Sequence, residues 1–241
     1  MGEETPGKLD GLTIAVTREE PGELARLLAD EGARVLHFPL IRIVASGSVA
    51  LAAAVEQPWD WLVFTSVNAV LFMPGKVKVA AVACVGDATA QEARRAGYNV
   101  DLLPTHQHIK GMIEAFAALD KRIGRVLYPR SELAPRTLVE GLRALGFSVD
   151  DPVAYRTLPD TDGIKALSQQ MGLQAIVFAS PSAVRGGVKA LGERLKEMRI
   201  YSIGPTTSHA VREAGHKVAA EAAEHSAAGL VQAVLEKEVT R

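Results

Sequence analysis

The 241-residue sequence is poor in cysteine, in aromatic residues and in long apolar runs, and neither sign of charge is in excess. Cys84 is the only cysteine, which excludes an internal disulfide and a multi-thiolate metal site. No apolar run approaches the ~20 residues that a membrane-spanning helix needs. The acidic, polar start MGEETPGKLDGL lacks the basic and apolar regions of a signal peptide. We therefore expect a cytoplasmic protein with no membrane partner.

Charge is nearly balanced, since 27 lysines and arginines oppose 28 aspartates and glutamates for a formal net charge of −1. Proteins that attract nucleic acid by bulk charge have a basic surface instead, so no nucleic-acid partner is expected. An anionic ligand would have to be held by local features such as helix N-termini and a few placed arginines.

Common catalytic motifs are also missing. No G-x-G-x-x-G follows a strand and no G-x-x-x-x-G-K-[ST] is present, which argues against a nucleotide site. No G-x-S-x-G elbow offers a serine for acyl transfer. His106 and His108 are close together but lack carboxylate or cysteine support, so they do not indicate a metal site. Cys84 lies inside a predicted strand, where a buried, inert thiol is expected.

What the sequence does contain is a regular alternation of short β-rich runs and amphipathic helical stretches, typical of parallel α/β sheets. The predicted strands are Leu12–Thr17, Trp61–Thr65, Val79–Val85, Val100–Leu103, Arg125–Tyr128, Ala175–Ala179, Arg199–Ile203 and Lys217–Ala220. The clearest predicted helices are Pro21–Glu31, Pro181–Glu197 and Ser226–Glu238.

The chain also repeats itself, which predicts two copies of one unit. The segment FTSVNAV from Phe64 matches FASPSAV from Phe178, 114 positions later, and VGDAT from Val85 matches IGPTT from Ile203, 118 positions later. The offset grows by about one helical turn, so one copy of the intervening helix has gained or lost a turn. Chance similarity between short α/β segments is the alternative.

Two longer stretches, 34–44 and 148–158, exceed the usual strand length of about 5–6 residues, and each contains a proline. Strands that start in one lobe and finish in the other would explain them. We therefore predict a discontinuous lobe from residues 1–38 plus 159–241, a second lobe from 45–148, and hinge strands at 39–44 and 149–158.

In parallel α/β sheets ligands bind beyond the carboxyl ends of strands, where loops turn into helices whose free N–H groups favour anions. Six such turns are predicted to face a cleft shared by both lobes and to bind several carboxylates or phosphates. For any single turn, a self-satisfied helix cap is the alternative. Candidate binding residues in these turns are Arg18, Thr65, Ser66, Asn68, Gly86, Thr89, Pro129, Arg130, Ser131, Ser180, Ser182, Gly204, Thr206 and Thr207.

Charged and phenolic candidates add to this set. Arg18 and Arg130 hold matching repeat positions and could each clamp a carboxylate, although a surface salt bridge is the alternative for both. Lys110 and Ser226 begin another matched pair of helices and are candidates for the cleft rim. Tyr155 lies on the second hinge strand, where its phenol could donate a proton to a leaving oxygen, with core packing as the alternative.

Taken in order, these pieces resemble the uroporphyrinogen-III synthase family over most of the chain. The resemblance is carried by FTSVNAV from Phe64, Gly86 with Thr89, LYPRS from Leu127, YRT from Tyr155, FASPSAV from Phe178 and IGPTT from Ile203. It implies two flavodoxin-like, parallel-sheet lobes joined by a two-stranded β-ladder hinge.

The resemblance also implies a cyclising lyase of tetrapyrrole and haem biosynthesis without metal or organic cofactor. We expect a monomer, because a cleft formed within one chain needs no second copy. Its substrate would be hydroxymethylbilane, four linked pyrroles with eight carboxylates and a terminal hydroxymethyl group. Loss of hydroxide gives an azafulvene, which attacks the substituted position of the last ring. The resulting spiro intermediate fragments and recombines with ring D inverted, and the macrocycle closes. By resemblance, Tyr155 assists the departure of the hydroxyl, while Ser66, Ser180 and Thr206 position the substrate.

The sequence departs from the family pattern at two points, and two rival functions remain open. The segment 71–78 is short and contains Pro74-Gly75, so one helix should be truncated, and Glu19 could occupy Arg18. One rival is a non-enzymatic, two-lobed sensor that closes on a polyanion, although no signal peptide or DNA-binding helical unit is visible. The other is a duplicated flavin- or nucleotide-binding unit, which would need a glycine-rich phosphate loop.

Overall fold

A computed structural model describes residues 7–120 and 123–239, and the start of the chain on which the signal-peptide expectation partly rests (1–6) lies outside them. The strands are β1 Thr13–Val16, β2 Arg34–His37, β3 Ile41–Ala45, β4 Trp59–Phe64, β5 Val79–Cys84, β6 Arg125–Leu127, β7 Arg130–Ser131, β8 Ser148–Asp150, β9 Val153–Pro159, β10 Ala175–Phe178, β11 Arg199–Ser202 and β12 Val218–Glu221. The helices are α1 Gly22–Asp30, α2 Val49–Val55, α3 Val67–Leu71, α4 Asp87–Arg95, α5 Ile109–Ala117, α6 Thr137–Ala144, α7 Thr161–Gln169, α8 Pro181–Leu191 with a 3₁₀ extension Gly192–Glu197, α9 Pro205–Glu213 and α10 Ala227–Val239.

These elements form two compact units, each with its own parallel sheet. Unit 1 contains the described residues up to Arg42 and those from Leu158 onward, and unit 2 contains Ile43–Thr157. The sheet of unit 1 has the strand order β12-β11-β10-β1-β2, and that of unit 2 has the order β5-β4-β6-β8. The strand pairings described in both sheets are parallel. The predicted α/β class with two parallel-sheet lobes is confirmed.

The repeat seen in the sequence reappears in the strand order. The two sheets have the same spatial order of equivalent strands. In unit 1 this order is β11, β10, β1 and β2, and in unit 2 it is β5, β4, β6 and β8. The edge strand β12 of unit 1 corresponds in unit 2 to a single isolated parallel bridge, between Leu102 and Ala83. The strand predicted over Val100–Leu103 is therefore reduced to one bridge.

One pair of equivalent helices differs strongly in length. Helix α3 has five residues, whereas its counterpart α8 has eleven and continues into the 3₁₀ turn. The short copy ends at Leu71, just before the segment that contains Pro74 and Gly75. Proline lacks a backbone N–H and disfavours helix in the residue before it, which accounts for the early stop.

The two long stretches are each broken into two strands of different sheets. Residues 34–45 divide into β2 and β3 around Pro39, and 148–159 divide into β8 and β9 around Pro152. Strands β3 and β9 belong to a three-stranded sheet of order β3-β9-β7, so the structure adds a third strand to the predicted two-stranded ladder. The added strand is Arg130–Ser131, with Ser131 paired to Tyr155.

Helices cover both faces of each sheet because each presents an apolar stripe to it. In unit 1, Leu24 and Leu28 of α1 are fully buried in one cluster with Leu230 and Val234 of α10. A second cluster around Phe178 covers the other face. Unit 2 repeats this pattern with two clusters of its own. Among the residues described, no helix is long and apolar enough to cross a membrane.

Cys84 lies at the end of β5 and is completely buried. Burial raises the pKa of its thiol to about 12, with a smaller lowering effect from Arg94. The thiol therefore stays protonated through pH 9, and only the thiolate is nucleophilic.

We expect Cys84 of the folded protein to react with iodoacetamide at pH 8 at least about a thousandfold more slowly than the same cysteine in urea. Mass spectrometry of the alkylated protein over time measures both rates. Comparable rates in the two conditions would show that β5 is open to solvent.

Candidate active site

In unit 2, strand β4 ends at a turn that carries two adjacent hydroxyl groups. Phe64 is the last residue of β4 and pairs with Cys84 of β5, so both strands end at the same level of the sheet. Thr65 and Ser66 follow at once and are partly buried. Ser66 is the N-cap of α3, where its Oγ accepts a hydrogen bond of 3.1 Å from the N–H of Ala69.

Ser66 also binds the phenol of Tyr155. The Ser66 Oγ lies 2.9 Å from the Tyr155 hydroxyl oxygen, and either atom could be the donor. The ring of Tyr155 stacks on Phe72 with centroids 6.0 Å apart, and the residue is only 8% exposed. Packing on one side and a hydrogen bond at the tip therefore fix this phenol beside the end of β4.

A second phenol, which sequence analysis did not single out, lies next to the first. Tyr128 directly follows β6, and its hydroxyl lies 3.3 Å from Thr65 Oγ1. Burial raises the pKa of Tyr128, opposed by the hydrogen bond from Thr65 and by Arg130. Its position at a predicted strand end, in a chain with only four tyrosines, was the available signal.

The turn at Gly86 is already occupied by a side chain. Gln107 Oε1 accepts from the N–H of Asp87 at 3.2 Å, and Gln107 Nε2 donates to the Asp87 carboxylate at 2.6 Å. At the equivalent turn of unit 1, the ring of His225 covers Gly204 so closely that a Cβ there would lie 2.4 Å from Nε2. A carboxylate at either turn would have to displace a side chain.

Gln107 and His225 were missed by sequence analysis, although they are 118 positions apart, the offset of the repeat. The same offset relates the next residues. His108 Nδ1 accepts from the N–H of Gly111 at the start of α5, and Ser226 Oγ accepts from the N–H of Gly229 at the start of α10. The candidate Ser226 and the equivalent His108 thus serve as caps, whereas the candidate Lys110 does not.

A pocket of about 430 Å³ opens in unit 2 between the first turns of α5 and α6. It is lined by His108, Ile109, Lys110, Tyr128, Pro135 and Thr137. Lys110 is exposed. In the part of the chain that the structure describes, no three His, Cys, Asp or Glu side chains are grouped so that they could hold a metal ion.

Arg130 is engaged by a carboxylate of the protein itself. Its Nε donates to Asp151 Oδ2 at 2.8 Å, and its NH1 donates to the carbonyl of Ser131. Arg136 and Arg143 also pair with Asp151, which is 11% exposed. For Arg130 the structure therefore favours the salt-bridge alternative over the carboxylate clamp.

The other candidates of unit 2 are mixed in accessibility. Pro129 and Thr89 are buried, whereas Asn68 in the first turn of α3 is partly exposed. Ser131 is partly exposed, and its Oγ accepts from the N–H of Leu133 at 3.2 Å. Of the predicted site residues, Thr65 and Ser66 are neighbours in one turn, where Thr65 binds Tyr128 and Ser66 binds Tyr155.

The candidates of unit 1 lie at the carboxyl ends of β1, β10 and β11. Arg18 and Thr206 are exposed, and Thr207 is buried. Ser180 Oγ caps α8 by accepting from the N–H of Ala183 at 3.2 Å, and Ser182 Oγ accepts from Arg185 at 2.9 Å. That these turns share one cleft with those of unit 2 stays a prediction.

Comparison with known proteins decides the family. The sequence profile described as Uroporphyrinogen-III synthase HemD matches residues 22–232. The chain belongs to the uroporphyrinogen-III synthase family. It is 29% identical to the uroporphyrinogen-III synthase of Synechococcus elongatus, over 94% of this chain and 95% of that protein. It is 26% identical to the one of Chlorobaculum parvum, over 86% and 91%.

Solved structures of uroporphyrinogen-III synthases share the fold. The protein from Helicobacter pylori matches with a TM-score of 0.67 at 19% identity, covering 93% of this chain and 99% of that one. A mutant protein from Thermus thermophilus matches with a TM-score of 0.60 at 16% identity, covering 95% and 99%. These comparisons confirm the resemblance found in the sequence. They also confirm the predicted activity, that of a cyclising lyase of tetrapyrrole biosynthesis. The non-enzymatic sensor is not favoured.

The three ion pairs of Asp151 predict that Arg130 has a structural role, which mutation can test. Asp151→Asn should lower the free energy of unfolding by about 2–3 kcal/mol, because three guanidinium groups lose their shared carboxylate. Urea denaturation followed by circular dichroism measures the change. As a matched control, Asp30→Asn breaks the exposed pair with Arg26 and should cost less than about 0.5 kcal/mol. Equal effects of the two variants would contradict a structural role for Arg130.

Proposed function

We propose that this protein converts hydroxymethylbilane to uroporphyrinogen III, with inversion of ring D and loss of water, as a cytoplasmic monomer. Family membership and one observation in particular support it: a fixed phenol–hydroxyl pair, Tyr155 with Ser66, at the carboxyl end of a central parallel strand. A monomer suffices because both members of the pair come from one chain. The nearly balanced charge offers no bulk attraction to nucleic acid or to an anionic membrane.

In the first step, Tyr155 acts as the general acid. The carbon–oxygen bond of the terminal hydroxymethyl group breaks, the departing hydroxide takes the phenol proton, and water forms. The lone pair of the pyrrole nitrogen moves into the ring system, and the azafulvene forms as the pyrrole N–H proton passes to solvent, from which the Tyr155 phenolate regains a proton. The remaining electron movements occur among the pyrroles, so the protein mainly folds the bilane into a reactive geometry.

Ser66 sets the direction of the phenol proton. Its oxygen accepts from the N–H of Ala69, and its single hydrogen is then available for Tyr155. When Ser66 donates to the phenol oxygen, the phenol hydrogen is left to point at the substrate. A hydroxyl can act as donor and acceptor at once, which an apolar side chain at this position could not do.

Carboxylate binding is assigned to the accessible turn residues. We propose that Arg18, Thr65, Asn68, Lys110, Ser131, Ser180, Ser182, Thr206 and Ser226, with the backbone N–H groups around them, hold carboxylates of the bilane. Burial of Thr89, Pro129 and Thr207 supports a role in shaping their turns. Gly86 and Gly204 are each covered by a side chain, and Arg130 is held in an ion pair. We therefore propose that these three residues also shape their turns and do not bind a carboxylate directly.

The function is tested by supplying freshly prepared hydroxymethylbilane, oxidising the products and separating the porphyrin isomers. Unaided closure gives the symmetric type I ring, so the enzyme should yield predominantly type III. Formation of type I alone, at the rate seen without protein, would refute the proposed activity.

Tyr155→Phe should lower kcat about a hundredfold while type III remains the product, because positioning by the rest of the site is retained. Rapid-quench assays and isomer analysis measure both quantities. Circular dichroism and thermal unfolding verify that the variant is folded. Complete loss of type III product from a folded variant would mean that the phenol does more than assist the leaving group.

Ser66→Gly should lower kcat about tenfold with little change in stability, because glycine is tolerated as an N-cap whereas the hydrogen bond to Tyr155 is lost. Ser66→Thr keeps the hydroxyl and should restore most of the activity. Ser48 caps α2 in the same way, by accepting from Leu51, and is the matched control. Unchanged kcat in Ser66→Gly, or an equal loss in Ser48→Gly, would remove Ser66 from the mechanism.

A further inference from the structure

The pocket of unit 2 between the first turns of α5 and α6 has the composition of a site for an aromatic acid. Ile109, Pro135 and the ring of Tyr128 supply apolar wall, while Lys110, His108 and Thr137 supply polar groups. Its volume of about 430 Å³ lies within the ~300–1,000 Å³ that small-molecule sites usually have. None of its lining residues is acidic.

Two features of the pocket favour a carboxylate at its polar side. Lys110 is exposed and forms no ion pair within residues 7–120 and 123–239. His108 accepts the N–H of Gly111 through Nδ1, so in the neutral ring Nε2 carries the proton and is a donor.

The start of α6 differs from that of α5. Helix α5 is capped by His108, whereas α6 begins after Arg136 without any side-chain cap. The N–H groups of the first turn of α6, beginning with Thr137, therefore have no side-chain acceptor at the edge of the pocket. They add to the positive potential that Lys110 provides.

We propose that this pocket is a subsite for one pyrrole ring of the substrate together with its carboxylate side chain. The ring lies against Ile109 and Pro135, with Tyr128 at the base of the pocket, and the carboxylate is held by Lys110 and the first turn of α6. The assignment rests on the proposed function, because it identifies the occupant as a pyrrole acid. Tyr128 thereby connects the subsite to the Thr65–Ser66 turn, since its hydroxyl binds Thr65.

The test uses porphobilinogen, a monopyrrole with one acetate and one propionate, as a probe of the full-length protein. In NMR titrations at millimolar probe, the amides of Thr137 and Leu138 and the ring of Tyr128 should shift. Lys110→Gln should weaken binding about tenfold, and Lys110→Arg should restore it. Lys189→Gln, which removes an exposed lysine of α8, should change nothing.

Two further binding measurements test whether the pocket prefers a pyrrole acid. Thr137→Tyr places a bulky ring at an exposed lining position and should abolish binding while the core stays intact. Glutarate, a dicarboxylate without a ring, should bind more weakly than porphobilinogen. Equal affinity for glutarate would reduce the pocket to a plain anion site, and shifts elsewhere, or none, would remove it as a pyrrole subsite.

Isomer analysis on the same preparations separates this proposal from the proposed function. The Lys110→Gln enzyme should need about tenfold more hydroxymethylbilane, with kcat and type III product retained. A wild-type enzyme that makes type III but binds porphobilinogen elsewhere would overturn only the subsite. A wild-type enzyme that makes no type III would overturn the function itself.

Discussion

The hydrogen bond between Ser66 and Tyr155 is the interaction on which the proposed chemistry depends. Ser66 has to satisfy the N–H of Ala69 at the start of α3 and meet the phenol at the same time. A partly buried polar group without a partner costs free energy, so both bonds are made and the phenol is held in one place. The five residues of α3 are enough for this purpose, because the helix only has to present its first turn.

The duplicated scaffold places equivalent turns at equivalent strand ends, yet the turns have diverged in what fills them. Gln107 binds the first turn of α4, whereas a histidine covers the corresponding glycine in unit 1. Ser66 and Ser180 both cap the helix after their strands, but only Ser66 has a phenol partner among the hydrogen bonds of the described residues. The two copies therefore share the positions of their turns but differ in the side chains that contact them.

The two arginines at matching repeat positions also differ in their contacts. Arg18 and Arg130 occupy matching repeat positions, but Arg130 is tied to Asp151 while Arg18 is exposed. Charge near α6 therefore comes from a shared cluster, in which one carboxylate orders three guanidinium groups. Such a cluster ties the loop before α6 to Asp151, the residue that follows β8.

The sequence by itself determined the α/β class, the two parallel sheets, the repeat and the family, because hydrophobic periodicity and strand-end turns are local features that survive in the chain order. It also pointed to Ser66 and Tyr155. Only the tertiary structure decided that these two meet across 89 positions, that Tyr128 binds the adjacent Thr65, and that Gln107 and Asp151 occupy places expected for a ligand. Partners of a polar side chain are chosen by strand register and packing between distant segments, which no local pattern encodes.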